Sequence, residues 1–224
     1  MFRFTDLSKK LQEKTESVLV PTTPLGPEHR QHILQHLYAL SVHDRYLRFG
    51  YTASDGHIER YVAGLKFESD EIYGIFNAEL QIIAMAHLAI MKEVGRQASA
   101  EFGVSVSAHA RNRGYGALLF QRAVTHARNE KVYQMYIHAL SENAPMIRIA
   151  RKEGAKIERD GSETEAFLSL PKRDLDSRLS EFVSDRYGKT NYGIKEDAKR
   201  FWNFLAKVQE IRTGVREARH QAAE

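Results

Sequence analysis

Ala100-Glu101-Phe102-Gly103-Val104-Ser105-Val106, followed by Arg111-Asn112-Arg113-Gly114-Tyr115-Gly116-Ala117, decides how this chain is read. The first run alternates. Phe102, Val104 and Val106 fall on one face, and Glu101, Gly103 and Ser105 on the other, which is the period of a strand. After the loop, Tyr115, Leu119, Ala123 and Ala127 make the apolar stripe of a helix from about 114 to 128. Between them, glycines let the backbone turn tightly and approach a ligand. The first N–H groups of a helix have no internal partner, and its dipole adds partial positive charge there. A phosphate fits such a place, and Arg111 and Arg113 add charge to it. Two glycines alone are equally consistent with an ordinary turn into a helix. Two known phosphate loops fit the chain less well. No G-x-x-x-x-G-K-[ST] occurs, and the third glycine of G-x-G-x-x-G is replaced by Leu119.

Upstream, Ser17 to Val20 is a strand candidate stopped by Pro21 and Pro24. Gly26-Pro27 opens a helix carrying Ile33, Leu34, Leu37 and Leu40 on one face. A second, shorter helix is expected from Ile58 to Leu65. Ile72 to Phe76 and Gln81 to Met91 read as strands joined at Asn77-Ala78-Glu79; the second is apolar on both faces and so belongs at the centre of a sheet. Downstream come a strand from Val132 to His138 and a helix from Asn143 to Glu153 ended by Gly154. A hairpin signal at Asp160-Gly161 and a strand from Ala166 to Leu170 follow. The pattern divides the chain into an N-terminal lead-in (1–16), a mixed α/β domain (17–171) and a helical C-terminal extension (172–224). In the extension, Leu175, Leu179, Phe182 and Val183 fit one amphipathic helix, and Ala198, Phe201, Trp202, Leu205 and Val208 another. Those apolar faces pack on the domain or support a homodimer.

Bulk properties narrow the function. The 224 residues carry a net charge of +4, which favours anionic ligands but falls short of a nucleic-acid footprint. With 0 cysteines there is no disulfide, no thiolate zinc site and no cysteinyl intermediate. The first twenty residues lack the apolar run of a signal peptide. No stretch approaches the roughly 18 apolar residues that span a bilayer. A soluble cytoplasmic protein without a membrane partner is expected.

Three segments together carry a family resemblance: Ala100 to Val106, the Arg-x-x-Gly-x-Gly core of Arg111 to Gly116, and Ser141-Glu142-Asn143 to Lys152-Glu153-Gly154. They resemble the GNAT N-acetyltransferases over roughly Ser17 to Leu170. The segment Ser41 to Phe49 is similar to the branch of bacterial protein-lysine acetyltransferases. The resemblance implies the GNAT fold, a mixed sheet of about six to seven strands flanked by helices. It implies acetyl-CoA as cosubstrate and a primary amine as acceptor. Arg111, Asn112, Arg113, Gly114, Tyr115, Gly116 and Ala117 would form the pyrophosphate loop. Val104, Ser105 and Val106 would pair with the pantetheine arm, and Asn143 would contact it at the start of the next helix. A backbone N–H near Val104 would face the thioester oxygen.

The attacking amine must lose a proton, so a base is useful. Glu101 is the candidate, because it precedes the loop on a strand face otherwise made of Gly103 and Ser105, whose small side chains leave room for substrate. The resemblance supports it, since several members carry Glu there. Where many members place a proton-donating Tyr, seven residues after the Asn, this chain has Ala150. Water or another group then serves as the acid, or the thiolate leaves unaided, a plausible step for a thiol of pKa about 8.5. Tyr136, His138 and His87 are nearby strand candidates for the acid, although a pocket wall or simple packing accounts for each of them more readily.

Other side chains are weighed on the same scale. Asp44 and Tyr46, in the segment His43-Asp44-Arg45-Tyr46, would touch the acceptor or merely connect helices, together with His87 and His138 as the substrate-side candidates. His29, His32 and His36 recur at helical spacing, but no zinc pattern such as H-E-x-x-H completes them; a solvated helix face is expected and no metal. Tyr133 and Tyr136 alternate as core residues. The alternative to catalysis is a module that binds acyl-CoA without turning it over.

Overall fold

The computed structural model describes residues 20–92, 95–160 and 163–170, together with residues 185, 188–193, 195, 196 and 199. Among them, seven strands form one sheet in the order β1-β2-β3-β4-β5-β7-β6. These are β1 (Thr23–Pro24), β2 (Glu71–Phe76), β3 (Ile82–Met91), β4 (Ser99–Val106), β5 (Gln134–Leu140), β6 (Lys156–Asp160) and β7 (Glu163–Ser169). Every pairing is antiparallel except that of β4 with β5. The two-sided apolar strand β3 lies inside the sheet, as its sequence demands.

Helices cover both faces. On one, α1 (Arg30–Tyr38), α2 (Val42–Phe49) and α3 (Asp55–Ala63) precede the main sheet; on the other lie α4 (Tyr115–Asn129) and α5 (Ala144–Lys152). Alternation along the strands divides the core accordingly. Tyr73, Ala86, Leu88 and Phe102 pack with Leu119, Phe120 and Ala123 of α4. Ile72, Phe76 and Met85 pack with Ile33 and Leu37 of α1 and Ile58 and Val62 of α3. Phe102 meets Phe120 edge-on with ring centroids 5.0 Å apart.

A short first strand, Thr23–Pro24, pairs with Gly74 and Tyr73 at the sheet edge, where a proline is tolerated. The strand expected from Ser17 to Val20 falls largely on 17–19, which lie outside the described residues. Three expectations need correction. The segment from Ser41 is a helix, not a connector: Ser41 caps it through Asp44 N–H, and Gly50 ends it at φ 79°. His29, His32 and His36 do not form a solvated face, because His29 and His36 are only 6% and 3% exposed. Tyr133 stands just before β5 and is 51% exposed, so it is not core.

The lead-in 1–16 lies outside the described residues, as does most of the extension 172–224. The described part of the extension packs on the domain. Residues 188–193 are helical, and Tyr192 rests against Phe76 at 4.7 Å between centroids. Lys195 Nζ donates to the Phe76 carbonyl at 2.8 Å, and Asp185 pairs with Arg122 of α4. Among the described residues, no helix is long and apolar enough to cross a membrane.

Candidate active site

β4 and β5 stay in register for only three pairs, Ser99–Gln134, Ala100–Met135 and Glu101–Tyr136. Beyond Glu101 the parallel strands part, while β4 continues to Val106, paired with β3 on its other side. A cavity of about 470 Å³ adjoins the parted edge. Val104, Ser105 and Val106 form one wall, and α2 supplies His43, Asp44, Leu47 and Arg48. The loop supplies Arg111, Asn112 and Gly114. Tyr115, Gly116 and Ala117 open α4, and Asn143, Met146 and Ile149 come from the start of α5 and its inner face.

The loop has the shape its sequence requires. After a 3₁₀ turn over Ala108–Ala110, Arg111 is extended, Asn112 has φ 61° and Gly114 has φ 79°. Asn tolerates the left-handed region better than most residues, and Gly does so freely. Leu118 N–H then donates to the Gly114 carbonyl at 3.0 Å, which begins α4. An ideal Cβ on Gly116 would stand 3.3 Å from Ile149 Cδ1, so a larger residue would close on the cavity wall.

The expected residues divide. Val104, Ser105, Val106, Arg111, Asn112, Gly114, Tyr115, Gly116, Ala117, Asn143 and Asp44 line the cavity; Arg113, Tyr46, His87 and Glu101 do not. The side chain of His138 lies outside the described residues. Asn143 has a structural duty as well, since its Oδ1 accepts from Met146 N–H at 3.2 Å and caps α5. Arg111 pairs with Asp44. Ala150 is fully buried in the core and brings no proton donor. Arg148 and Lys152 add positive charge to the α5 wall.

The face of β4 that carries Glu101 is not open at Gly103 or Ser105, contrary to expectation. An ideal Cβ on Gly103 would stand 2.5 Å from Arg48 Cζ, because the guanidinium lies directly over the glycine. A chain of hydrogen bonds holds it there. Arg48 Nη2 donates to Tyr61 Oη at 2.8 Å, Tyr61 Oη meets His87 Nδ1 at 2.8 Å, and His87 Nε2 meets Asp70 Oδ2 at 3.1 Å. Burial first, and then Arg48, lowers the His87 pKa. The consistent assignment is a neutral His87 that accepts from Tyr61 and donates to Asp70. Glu101, exposed on the same face, acts electrostatically on both Tyr61 and His87. Ser105 is occupied too, by a 2.8 Å bond to His36 Nε2. Sequence reasoning passed over Arg48, Tyr61 and Asp70, and read His36 as part of a solvated face. The available signal was the helix itself: with Ser41 as cap, Asp44, Leu47 and Arg48 share one face at spacings of three and four.

A family model described as the acetyltransferase (GNAT) family matches residues 34–155, more than half of the chain. Among solved structures, the chain is similar to the GNAT domain of S. lividans PAT, with 16% identity, TM-score 0.57, and coverage of 66% of this chain and 89% of that one. The acetyltransferase of the GNAT family from Streptococcus pneumoniae gives 12% identity, TM-score 0.53, and 67% and 98% coverage. Spermidine N-acetyltransferase from Vibrio cholerae, in complex with CoA and spermine, gives 15% identity, TM-score 0.51, and 66% and 94% coverage. At these identities the likenesses bear on the fold.

Proposed function

Because the chain belongs to the GNAT acetyltransferase family, whose members move an acetyl group from acetyl-CoA to an amine, we propose that its cavity binds acetyl-CoA and that Glu101 is the general base. The observation that carries this is the parting of β4 from β5 after Glu101, which leaves a strand edge running into a glycine loop.

The residues present fit such a cosubstrate. The αL turns at Asn112 and Gly114 gather the first N–H groups of α4, a suitable cradle for a diphosphate. The open edge at Val104 and Val106 offers amide partners to an extended polar arm, in the manner of strand addition. Acetyl-CoA supplies an activated thioester carbonyl. A backbone N–H near Val104 stabilises charge developing on its oxygen. Glu101, directly or through a water, takes the proton that the amine sheds as its nitrogen bonds to the acyl carbon. With Ala150 in the core, the sulfur departs as thiolate and is protonated from solvent.

Calorimetry with CoA, and thiol release from acetyl-CoA across a panel of amines and peptides, test the two halves separately. Glu101→Gln is expected to leave CoA affinity unchanged and to cut turnover by about 10²-fold or more. Unchanged turnover with the true acceptor would remove Glu101 from the mechanism.

A further inference from the structure

Arg48 is a fixed cation that the phosphate cradle does not need. Arg111 lines the glycine loop, and Arg148 and Lys152 stand on the α5 wall. Arg48 instead lies over Gly103, nearer the start of β4. Its position is built rather than incidental. Tyr61, His87 and Asp70 form the chain that holds one end of the guanidinium, and Phe49 and Tyr61 lie 5.0 and 5.4 Å from its Cζ by ring centroid. The site also requires a glycine at position 103. Yet among the described residues no carboxylate pairs with Arg48, its Nε is buried with no hydrogen-bond partner, and Nη1 makes no hydrogen bond. A half-buried guanidinium is the side chain best shaped to grip a carboxylate.

From this geometry, and resting on the reading of the cavity as the acetyl-CoA site, we propose that Arg48 binds the carboxylate of the acceptor, so that the acceptor is a small amino acid rather than a polyamine or a lysine side chain. Glu101 and Gly103 are two residues apart on one face of β4, a spacing of about 7 Å. An anion therefore stands near the fixed cation. An amino acid presents both complementary charges, its ammonium to Glu101 and its carboxylate to Arg48. A polyamine would bring only positive charge against the guanidinium. Tyr61, His87 and Asp70 act through Arg48 and are positioning residues.

The test uses the full chain, acetyl-CoA with succinyl-CoA as a second donor, and pairs of acceptors that differ only at the carboxylate: free amino acids beside their carboxamides, with spermidine and lysine peptides as further arms. Amino acids are expected to be turned over, with kcat/KM at least tenfold above the matching carboxamides. Arg48→Gln should abolish that preference by raising KM for the free amino acids while leaving KM for the carboxamides little changed. Gly103→Ala, which displaces the guanidinium, should act in the same direction, so the idea stays testable if Arg48→Gln fails to fold. Tyr61→Phe should give a smaller shift of the same kind. Turnover of spermidine or lysine peptides with amino acids inert would overturn the proposal. So would an undiminished preference in Arg48→Gln, or an effect confined to the choice between acetyl-CoA and succinyl-CoA, which would make the bound carboxylate part of the donor. Failure of the wild-type chain to bind CoA at all would instead overturn the reading of the cavity.

Discussion

Asp44 on α2 pairs with Arg111 of the glycine loop, joining two walls of the cavity. The carboxylate therefore occupies the guanidinium that a diphosphate would use. Arg111 is 44% exposed and Asp44 14%, so the pair is partly screened and its net worth is modest, about 0.5–1 kcal/mol. Asp44→Asn frees Arg111 and removes a charge that repels phosphate. CoA should bind about two- to fivefold more tightly at low salt, and the gain should shrink as salt is raised. Arg111→Gln should weaken binding by about tenfold, the loss of one charge-assisted hydrogen bond. Calorimetry at two ionic strengths checks both. If Asp44→Asn weakened CoA binding, Asp44 would be part of the cradle rather than a competitor for it.

Gly114 offers a cleaner probe of the loop. No heavy atom lies within 4 Å of where its Cβ would be, but its φ is +79°. A side chain there has room and the wrong backbone. Gly114→Val should cost about 1–2 kcal/mol through strain alone. It should also tilt the first N–H groups of α4 and lower CoA affinity by about tenfold or more. The melting temperature and the CoA titration separate the two effects. Full affinity in a folded variant would rule out the amides of this loop as the phosphate site.

What the sequence shows and hides follows from where each element gets its order. β3, β4 and α4 were legible because their apolar periods are imposed by a core on one or both faces. The helix α2 has no buried residue: His43, Asp44, Leu47 and Arg48 line a cavity, so a polar face, not a core, meets the rest of the domain there, and core periodicity does not reveal it. The same gap hid the meaning of Gly103. A strand glycine suggests space, and the side chain that fills it comes from α2, far earlier in the chain. His36 repeats the lesson. Its spacing with His29 and His32 gives a polar stripe, but the sheet laid against that stripe presents a carbonyl and a hydroxyl, so the histidine is buried.

Arg122 ties the C-terminal extension to the catalytic domain. It is buried on α4, its Cζ lies 4.8 Å from the centroid of Tyr73, and it pairs with Asp185. Removing one partner of a buried pair takes away part of what compensates the charge that stays. Asp185 is 35% exposed, so water compensates in part. Asp185→Ala should therefore destabilise the protein by about 1–3 kcal/mol in denaturant titration. Arg122→Met, which removes the charge as well, should cost less than Asp185→Ala. Equal stability of Asp185→Ala and wild type would mean that the extension does not contribute to the domain's fold through this contact.

His36 makes the stability depend on acid in a defined window. Its Nδ1 lies 2.9 Å from the Ile82 carbonyl, which can only accept, so Nδ1 carries the hydrogen; Nε2 then accepts from Ser105 Oγ at 2.8 Å. That geometry is satisfied by the neutral ring. Burial lowers the pKa to about 4, from 6.5 for a free side chain. The unfolded chain therefore binds a proton at His36 below about pH 6.5, whereas the folded chain resists doing so until about pH 4. Between those values the unfolded state holds more protons, and stability falls as pH is lowered. The full difference is about 3 kcal/mol, complete below pH 4. His29 and His87, also lowered chiefly by burial, act with the same sign. Urea titrations from pH 7 to pH 4 should show a steady loss of stability. In His36→Gln, whose amide can keep one of the two hydrogen bonds, the protein should start less stable at pH 7 but lose less on acidification. A variant with the same acid slope as wild type would move the titrating group away from His36.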